Sequence, residues 1–249
     1  MKIAVCAKQI PDPANPIEYS NGNVIRPEEQ VLDDTDRYGI EVALQLKEKY
    51  DAEVTVISMT KVGTEKGIQQ ALQMGPDNAL VLEDESLVGS NSLMTSNVLS
   101  ELAKRINADI VIFGTESTDG YAGVVPQQVS RILNIPCISY VKNIEIDESV
   151  TLTRQTIEGS EKINLPDKCV ISVTASGVEP RYPNFKDIMA AKNKPIEIIT
   201  KNEIEFNTDQ NMNFVEIKDI STSKQGEKII DEGEAHQLII DKLKEIKAI

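Results

Sequence analysis

Along the first 140 positions the apolar residues fall into two kinds of run, short unbroken blocks and longer stretches at helical spacing. Lys2–Ala7 (KIAVCA), Glu53–Ser58 (EVTVIS), Asn78–Leu82 (NALVL), Asp109–Phe113 (DIVIF) and Cys137–Tyr140 are short and mostly rich in β-branched residues, which predicts strands. Between them, Thr35–Tyr50, Thr64–Met74, Ser92–Ile106 and Gly123–Leu133 space their apolar residues three and four apart, with Ile68, Ala71 and Leu72 forming one such stripe. That spacing predicts helices. Strands that read as continuous Val/Ile blocks, each followed by a helix, imply a parallel sheet covered on both faces. The expected fold is α/β: a doubly wound, mostly parallel sheet of the Rossmann-like, adenine-nucleotide-binding kind.

After about residue 140 the pattern changes. Lys142–Glu148, Ser149–Gln155 and Lys162–Leu165 alternate as half-exposed strands do, which predicts a small antiparallel addition. Lys168–Thr174 reads as another buried strand and Asn184–Lys194 as a short helix. Residues 199–230 are polar and too poor in apolar side chains to form a core. They suit either an arm lying on another surface or a loose surface loop. Asp231–Ile249 carries Leu238, Ile239, Leu243 and Ile246 at helical spacing. The organisation expected is a nucleotide-binding domain over 1–198 and a C-terminal arm with a terminal helix over 199–249.

Composition narrows the function classes. The 249 residues are 40% hydrophobic and 27% charged, ordinary for a soluble globular chain. A formal charge of −14 argues against a general nucleic-acid or anionic-lipid surface. It does not exclude a single nucleotide, because backbone amides can hold a phosphate. No apolar run approaches the ~20 residues of a membrane span. Met1-Lys2-Ile3-Ala4-Val5 leads straight into strand-like sequence without a cleavage pattern, so a cytoplasmic or similarly reducing location is expected. Cys6, Cys137 and Cys169 lack metal or disulfide spacing and read as buried thiols. His236, in a charged helical pattern, reads as a solvated side chain.

In an open parallel sheet, ligands bind beyond the carboxyl ends of the strands, where strand order reverses. Those ends are Ala7-Lys8-Gln9, Ser58-Met59-Thr60 and the run Gly114–Gly123. In the last, Gly120 and Gly123 stand three apart before a helix, with Gly120 expected at positive φ. The loop either presents its amides to a phosphate or needs its glycines only to turn. It matches neither GxGxxG nor GxxxxGK[ST], and both motifs are missing from the chain. A second cluster, Glu179-Pro180-Arg181-Tyr182-Pro183, is stiffened by its prolines. There Glu179 and Arg181 would pair with each other or across an interface, or the cluster is a structural turn. None of the carboxylates stands out as a catalytic acid or base, and there is no GxSxG elbow.

At these same places the chain resembles the beta subunits of electron transfer flavoproteins. The resemblance rests on Lys2–Asp12 (KIAVCAKQIPD), on Ala71–Asp77 (ALQMGPD), and most specifically on Glu179–Asn184 (EPRYPN) followed by Ile188–Ile196 (IMAAKNKPI). It runs in order over residues 1–200. It implies a subunit without bond chemistry of its own, paired with a larger alpha subunit that holds most of one FAD. It further implies electron flow from flavin dehydrogenases, such as acyl-CoA dehydrogenases, to a quinone reductase or other acceptor. This subunit would hold AMP, or a second FAD if it belonged to the electron-bifurcating, NADH-oxidising members.

Carried over by position, the resemblance sets Cys6 and Ala7 against the adenine and Met59 in the adenine or ribose pocket. Asp33 falls where many members have Asn. Asp119, Gly120, Tyr121, Ala122, Gly123 and Val124 would cradle phosphate through their amides, although this loop departs from the family pattern and is one residue shorter. Ala175, Ser176, Gly177, Val178, Glu179, Pro180, Arg181 and Tyr182 would form the segment that docks on dehydrogenases. The alternative from another class, a stand-alone nucleotide-binding module of the stress-protein type, has similar strands but does not explain the EPRY segment or the length.

Overall fold

Alternation inside each strand decides the architecture. The computed structural model of the chain describes residues 1–16, 18–20, 23–63, 65–175, 177–206, 230, 231 and 233–249. Strand β1 (Lys2–Cys6) turns Ile3 and Val5 into one buried cluster and Ala4 and Cys6 into another. Short pieces follow: β2 (Gln9–Ile10), β3 (Tyr19–Ser20), β4 (Asn23–Val24) and β5 (Val31–Leu32). The regular alternation of strand and helix then begins with α1 (Asp36–Tyr50), β6 (Glu53–Thr60), α2 (Lys66–Met74) and β7 (Asn78–Glu83). It continues through α3 (Ser92–Arg105), β8 (Ile110–Gly114), α4 (Val125–Leu133) and β9 (Cys137–Ile146). Strands β10 (Val150–Gln155), β11 (Ser160–Asn164) and β12 (Cys169–Val173), helix α5 (Phe185–Ala191) and strand β13 (Ile196–Ile199) complete the sheet unit.

Among the described residues the main sheet has nine strands in the order β11-β10-β9-β12-β8-β1-β6-β7-β13. The run from β9 to β13 is parallel throughout, and β10 and β11 extend it antiparallel. The α/β, doubly wound expectation holds. The chain lays down β1, β6 and β7 in one direction, then crosses back to place β8 on the other side of β1. Strand order therefore reverses between β1 and β8.

Helices α1 and α2 pack on the face of Ile3, Val5, Ile110, Ile112 and Ile171, while α3 and α4 cover Ala4, Val111, Phe113 and Val170. Apolar side chains on both faces of each central strand explain why these strands read as unbroken blocks. Local signals set the helix ends. The side chain of Asn91 accepts from the amide of Met94 at 2.9 Å and opens α3, and Asn134 at φ 55° closes α4.

Two elements differ from the reading of the sequence. Cys137–Tyr140 and Lys142–Glu148 are one strand, β9, whose first half pairs parallel with β12 and whose second half pairs antiparallel with β10. A register slip opposite Ile171–Val173, with Tyr140 at φ 59°, inserts the extra residue that breaks the alternation. The other is β13, an edge strand beside β7 that the polar surroundings of Ile196–Ile199 concealed.

The chain divides into two compact units, Met1–Val215 and Glu216–Ile249. In the second, α6 (Ala235–Glu245) is the expected terminal helix, with Leu238 and Ile239 exposed and His236 in solvent. The expected arm lies, over 207–229, outside the described residues.

One close approach supports the sheet's carboxyl edge. A Cβ on Gly67, in the first turn of α2, would stand 2.9 Å from the backbone nitrogen of Leu32 and 2.8 Å from Cγ of Gln9. The Gly67 amide itself donates to Oε1 of Gln9 at 2.7 Å. Gly67→Ala should therefore push α2 away from β2 and β5 and cost about 1–3 kcal/mol. Urea unfolding should show a lower midpoint at an unchanged slope.

Candidate functional site

The reversal of strand order leaves a crevice at the carboxyl ends of β1 and β8. Three segments distant in sequence meet there: Ala7–Gln9, Asp33–Asp36 and the loop 115–124. Two buried carboxylates hold them together. Asp33 is fully buried, and its carboxylate accepts from the amide and hydroxyl of Thr35 at 3.0 and 2.9 Å and from those of Thr118 at 2.7 and 3.1 Å. Asp36, in the first turn of α1, accepts from the amide of Lys8 at 2.7 Å. The approach is tight enough that a Cβ on Gly114 would stand 3.0 Å from Oδ1 of Asp36.

Burial, and then the charge of Asp33, push the Asp36 carboxyl up to about 8, against the pull of the Lys8 amide and ammonium and a backbone hydrogen bond with Gly114. Cys6 lies against this pair, and burial first and Asp36 second raise its thiol well above the ordinary value. Cys6 is a buried free thiol.

The loop carries the charges that matter for an anion. Oδ1 of Asp119 is 2.5 Å from Nζ of Lys8, and Oδ2 is 2.6 Å from Nη2 of Arg26. The Asp119 side chain is only 4% exposed. Burial pushes its pKa up, but the Lys8 ammonium and then the Arg26 guanidinium outweigh burial and hold the carboxyl below its ordinary value. Lys8 also donates to Oγ of Ser117 at 3.0 Å. Arg26 is anchored through Nη1 to the carbonyl of Gln9 at 3.0 Å and to Oε1 of Gln30 at 3.1 Å.

Gly120 is where the backbone comes near the lysine, since a Cβ there would stand 3.6 Å from Nζ of Lys8. The left-handed positions are Tyr121 at φ 45° and Gly123 at φ 62°. The expectation of positive φ at Gly120 is thus corrected. The turn is closed by the Tyr121 amide donating to the Ser117 carbonyl at 2.9 Å, which places the left-handed residue one position later. Among the described residues the amides of Ala122, Gly123 and Val124 find no acceptor, and they lead into the N-terminus of α4, which has no side-chain cap. Amides at a helix start, two cations and a glycine that admits close approach are groups of the kind that bind anions.

The other residues expected here are placed as follows. Ala7 is buried with both backbone groups in use, its amide donating to the Ile57 carbonyl at 3.1 Å and its carbonyl accepting from Ser58 Oγ at 2.6 Å. Met59 is half-buried and packs toward the α3 and α4 face. Tyr121 and Val124 are exposed. Lys8, Arg26 and Asp36 were not among the residues expected to form the site. Lys8 had a signal in its position directly after β1. Arg26 had none, lying in an irregular stretch without periodicity.

The second segment is tied down differently from the expectation. Within the chain Arg181 pairs with α1 and not with Glu179. Its Nε and Nη2 bind the Glu41 carboxylate of α1 at 2.8 and 2.9 Å, and its Nη1 binds Glu48 at 2.6 Å. Glu41 is buried, and a buried carboxylate requires a partner, which the guanidinium fork supplies. Burial acts to raise the Glu41 carboxyl, yet the hydrogen bonds from Arg181 and Gln45 hold it below its ordinary value.

Val178 packs against the core on the α1 side, and a Cβ on Gly177 would run into the backbone of Lys142 in β9. Ala175, Glu179 and Pro180 flank this contact, and Ser176 lies outside the described residues. With its arginine turned inward, the segment presents apolar groups outward. Tyr182 is 90% and Phe185 79% exposed, with Met189 one helical turn beyond Phe185. Phe185 and Met189 escaped the reading of the sequence because they fit a helix pattern that normally signals core.

No group of side chains suited to a metal occurs among the described residues, and none of their helices is long and apolar enough to cross a membrane. A family model described as the electron transfer flavoprotein domain matches residues 22–204. The chain is 34% identical to the electron transfer flavoprotein subunit beta of Mycobacterium bovis over 97% of each chain. It is 32% identical to that of Clostridium acetobutylicum over 98% of each. It is also 32% identical to the Caffeyl-CoA reductase-Etf complex subunit CarD of Acetobacterium woodii, over 82% of this chain and 80% of that one.

The chain belongs to the electron transfer flavoprotein family, among its beta subunits.

Two tests follow for this member of the beta-subunit family. Arg181→Ala strands the buried Glu41, and because Arg181 is partly in solvent the cost should be about 1–3 kcal/mol, between an exposed and a buried pair. Glu41→Gln added to Arg181→Ala should recover part of that loss in the same denaturation series. The Asp36 carboxyl binds its proton more tightly in the folded chain than in the unfolded one. Its contribution is therefore complete below about pH 4 and is lost as pH rises through about 8. This group's contribution should lower the thermal midpoint as pH rises from about 4 to about 8, and Asp36→Asn should flatten that slope.

Proposed function

We propose that the chain is the beta subunit of a heterodimeric electron carrier that takes electrons from flavin dehydrogenases, acyl-CoA dehydrogenases among them, and delivers them to a quinone reductase or another acceptor. The observation that carries the nucleotide part of this reading is the donor set at the β1–β8 crevice. Lys8, Arg26 and the unpartnered amides of Ala122–Val124 suit the phosphate of an adenine nucleotide, AMP or the adenylate end of FAD. A bound flavin supplies the electron-accepting ring; this chain's residues would hold the nucleotide, exclude water and present a docking face. The exposed Tyr182, Phe185 and Met189 support that face, with the segment 175–182 behind it.

The match to the CarD subunit favours a second reading, in which this chain holds FAD instead of AMP and takes part in electron bifurcation from NADH. A stand-alone nucleotide-binding module would not account for a likeness that spans 97% of an electron transfer flavoprotein subunit beta. The domain reading, a nucleotide-binding unit over 1–198 with an arm reaching the alpha subunit over 199–249, belongs to the same proposal, as does action in a reducing, cytoplasmic compartment.

The test is co-production with the alpha subunit, followed by purification and chromatographic extraction of nucleotides. One FAD and one AMP per heterodimer is the expected outcome. Two FAD and no AMP would move the proposal to the bifurcating reading. A chain that purifies as a homodimer without flavin would overturn both.

A further inference from the structure

The two cations of the crevice are already spanned by a carboxylate. Asp119 places one oxygen on Lys8 at 2.5 Å and the other on Arg26 at 2.6 Å, and it is 4% exposed although it sits in a loop. Arg26 has no freedom to follow a ligand, because its other terminal nitrogen is held by the Gln9 carbonyl and Gln30. We propose that Asp119 is a built-in anion that competes with the nucleotide: a phosphate takes over Lys8 and Arg26, and the Asp119 carboxylate gives them up. This inference rests on the nucleotide reading of the crevice and adds to it how the site is regulated.

Charge decides for exchange over simple addition. Lys8 and Arg26 supply two positive charges, and Asp119 cancels one. A phosphate monoester carrying between −1.5 and −2 near neutral pH would bring the local sum below zero if Asp119 stayed in place. Asp33 is buried close by, a Cβ on Gly123 would stand 3.3 Å from Oε2 of Glu116, and the whole chain carries −14. A phosphate has two oxygens spaced to replace both carboxylate contacts.

The backbone allows the trade. Asp119 is followed by Gly120 and by Tyr121 at φ 45°, a conformation that costs a residue with a side chain about 1–3 kcal/mol and that an alternative arrangement of the loop would relieve. Meanwhile Thr118 remains tied to Asp33, so the movement is confined to the residues after it. The consequence is a site whose cations are kept ordered at all times and whose affinity is set below what they would otherwise provide.

The experiment is calorimetric titration of AMP and of inorganic pyrophosphate into the full chain and into Asp119→Asn, prepared with the alpha subunit where the two purify together. Removing the competing charge should tighten both ligands by about tenfold, the equivalent of ~1.4 kcal/mol. Lys8→Met should weaken them in either background. Binding by Asp119→Asn that is equal to or weaker than wild type overturns the exchange and makes Asp119 an organiser of the cations; the nucleotide reading survives. If neither protein takes up AMP or pyrophosphate, the nucleotide reading falls and the exchange with it. A second measurement needs no variant. Carbon-detected NMR should show the Asp119 carboxyl titrating at higher pH once AMP is bound, because it has lost Lys8, and an unchanged titration overturns the proposal.

Discussion

Everything at the carboxyl edge of the sheet depends on two carboxylates that the fold keeps out of water at the start of α1. Asp36 fastens the helix to the turn after β1, and Asp33 fastens the turn before the helix to the loop after β8. Buried carboxylates are costly unless hydrogen-bonded, so each dictates where its donors must lie. The donors are backbone amides and threonine hydroxyls from segments up to 85 residues away in the chain. Without them the crevice would have no fixed width, and Lys8 and Arg26 would not meet at Asp119.

The same helix serves the other candidate surface. Glu41 lies further along α1 and is satisfied by Arg181, which leaves the prolines on either side of Arg181 and Tyr182 to set the path of the chain toward α5. A single helix thus bears on both the crevice at β1 and β8 and the exposed apolar face of Tyr182, Phe185 and Met189. Within the chain the guanidinium of that arginine is held by Glu41 and Glu48. What remains on the outside is aromatic and apolar, a composition suited to an interface core.

The layered fold was legible in the sequence because a strand buried on both faces has to be apolar at nearly every position, as in Val111, Ile112 and Phe113. The antiparallel extension was legible as alternation but not as one strand, since the bulge at Tyr140 shifts the parity at which apolar residues recur. Strand β13 was hidden because an edge strand with one exposed isoleucine and one exposed glutamate carries little signal. In the site, the glycine-bearing loop could be read, as its position after a buried strand is a local fact. Arg26, Asp36 and Glu41 could not, since their roles come from partners 28 to 140 residues away. Nothing in the identity of one carboxylate among forty marks the ones that the fold will bury.

The slip in β9 also divides the sheet by the distance along the chain over which its strands must find each other. Ile146 meets Val150 and Gln155 meets Ser160 across tight turns, so β9, β10 and β11 can pair from contacts that are nearly neighbours. Ile3 meets Ile110, and no local turn can bring those together. Chain-closure entropy makes such distant pairings slow to form. The antiparallel edge is accordingly the natural place for structure to start, and the crevice, which needs residues 8, 26, 36 and 119 at once, is assembled only when the last parallel strands have docked.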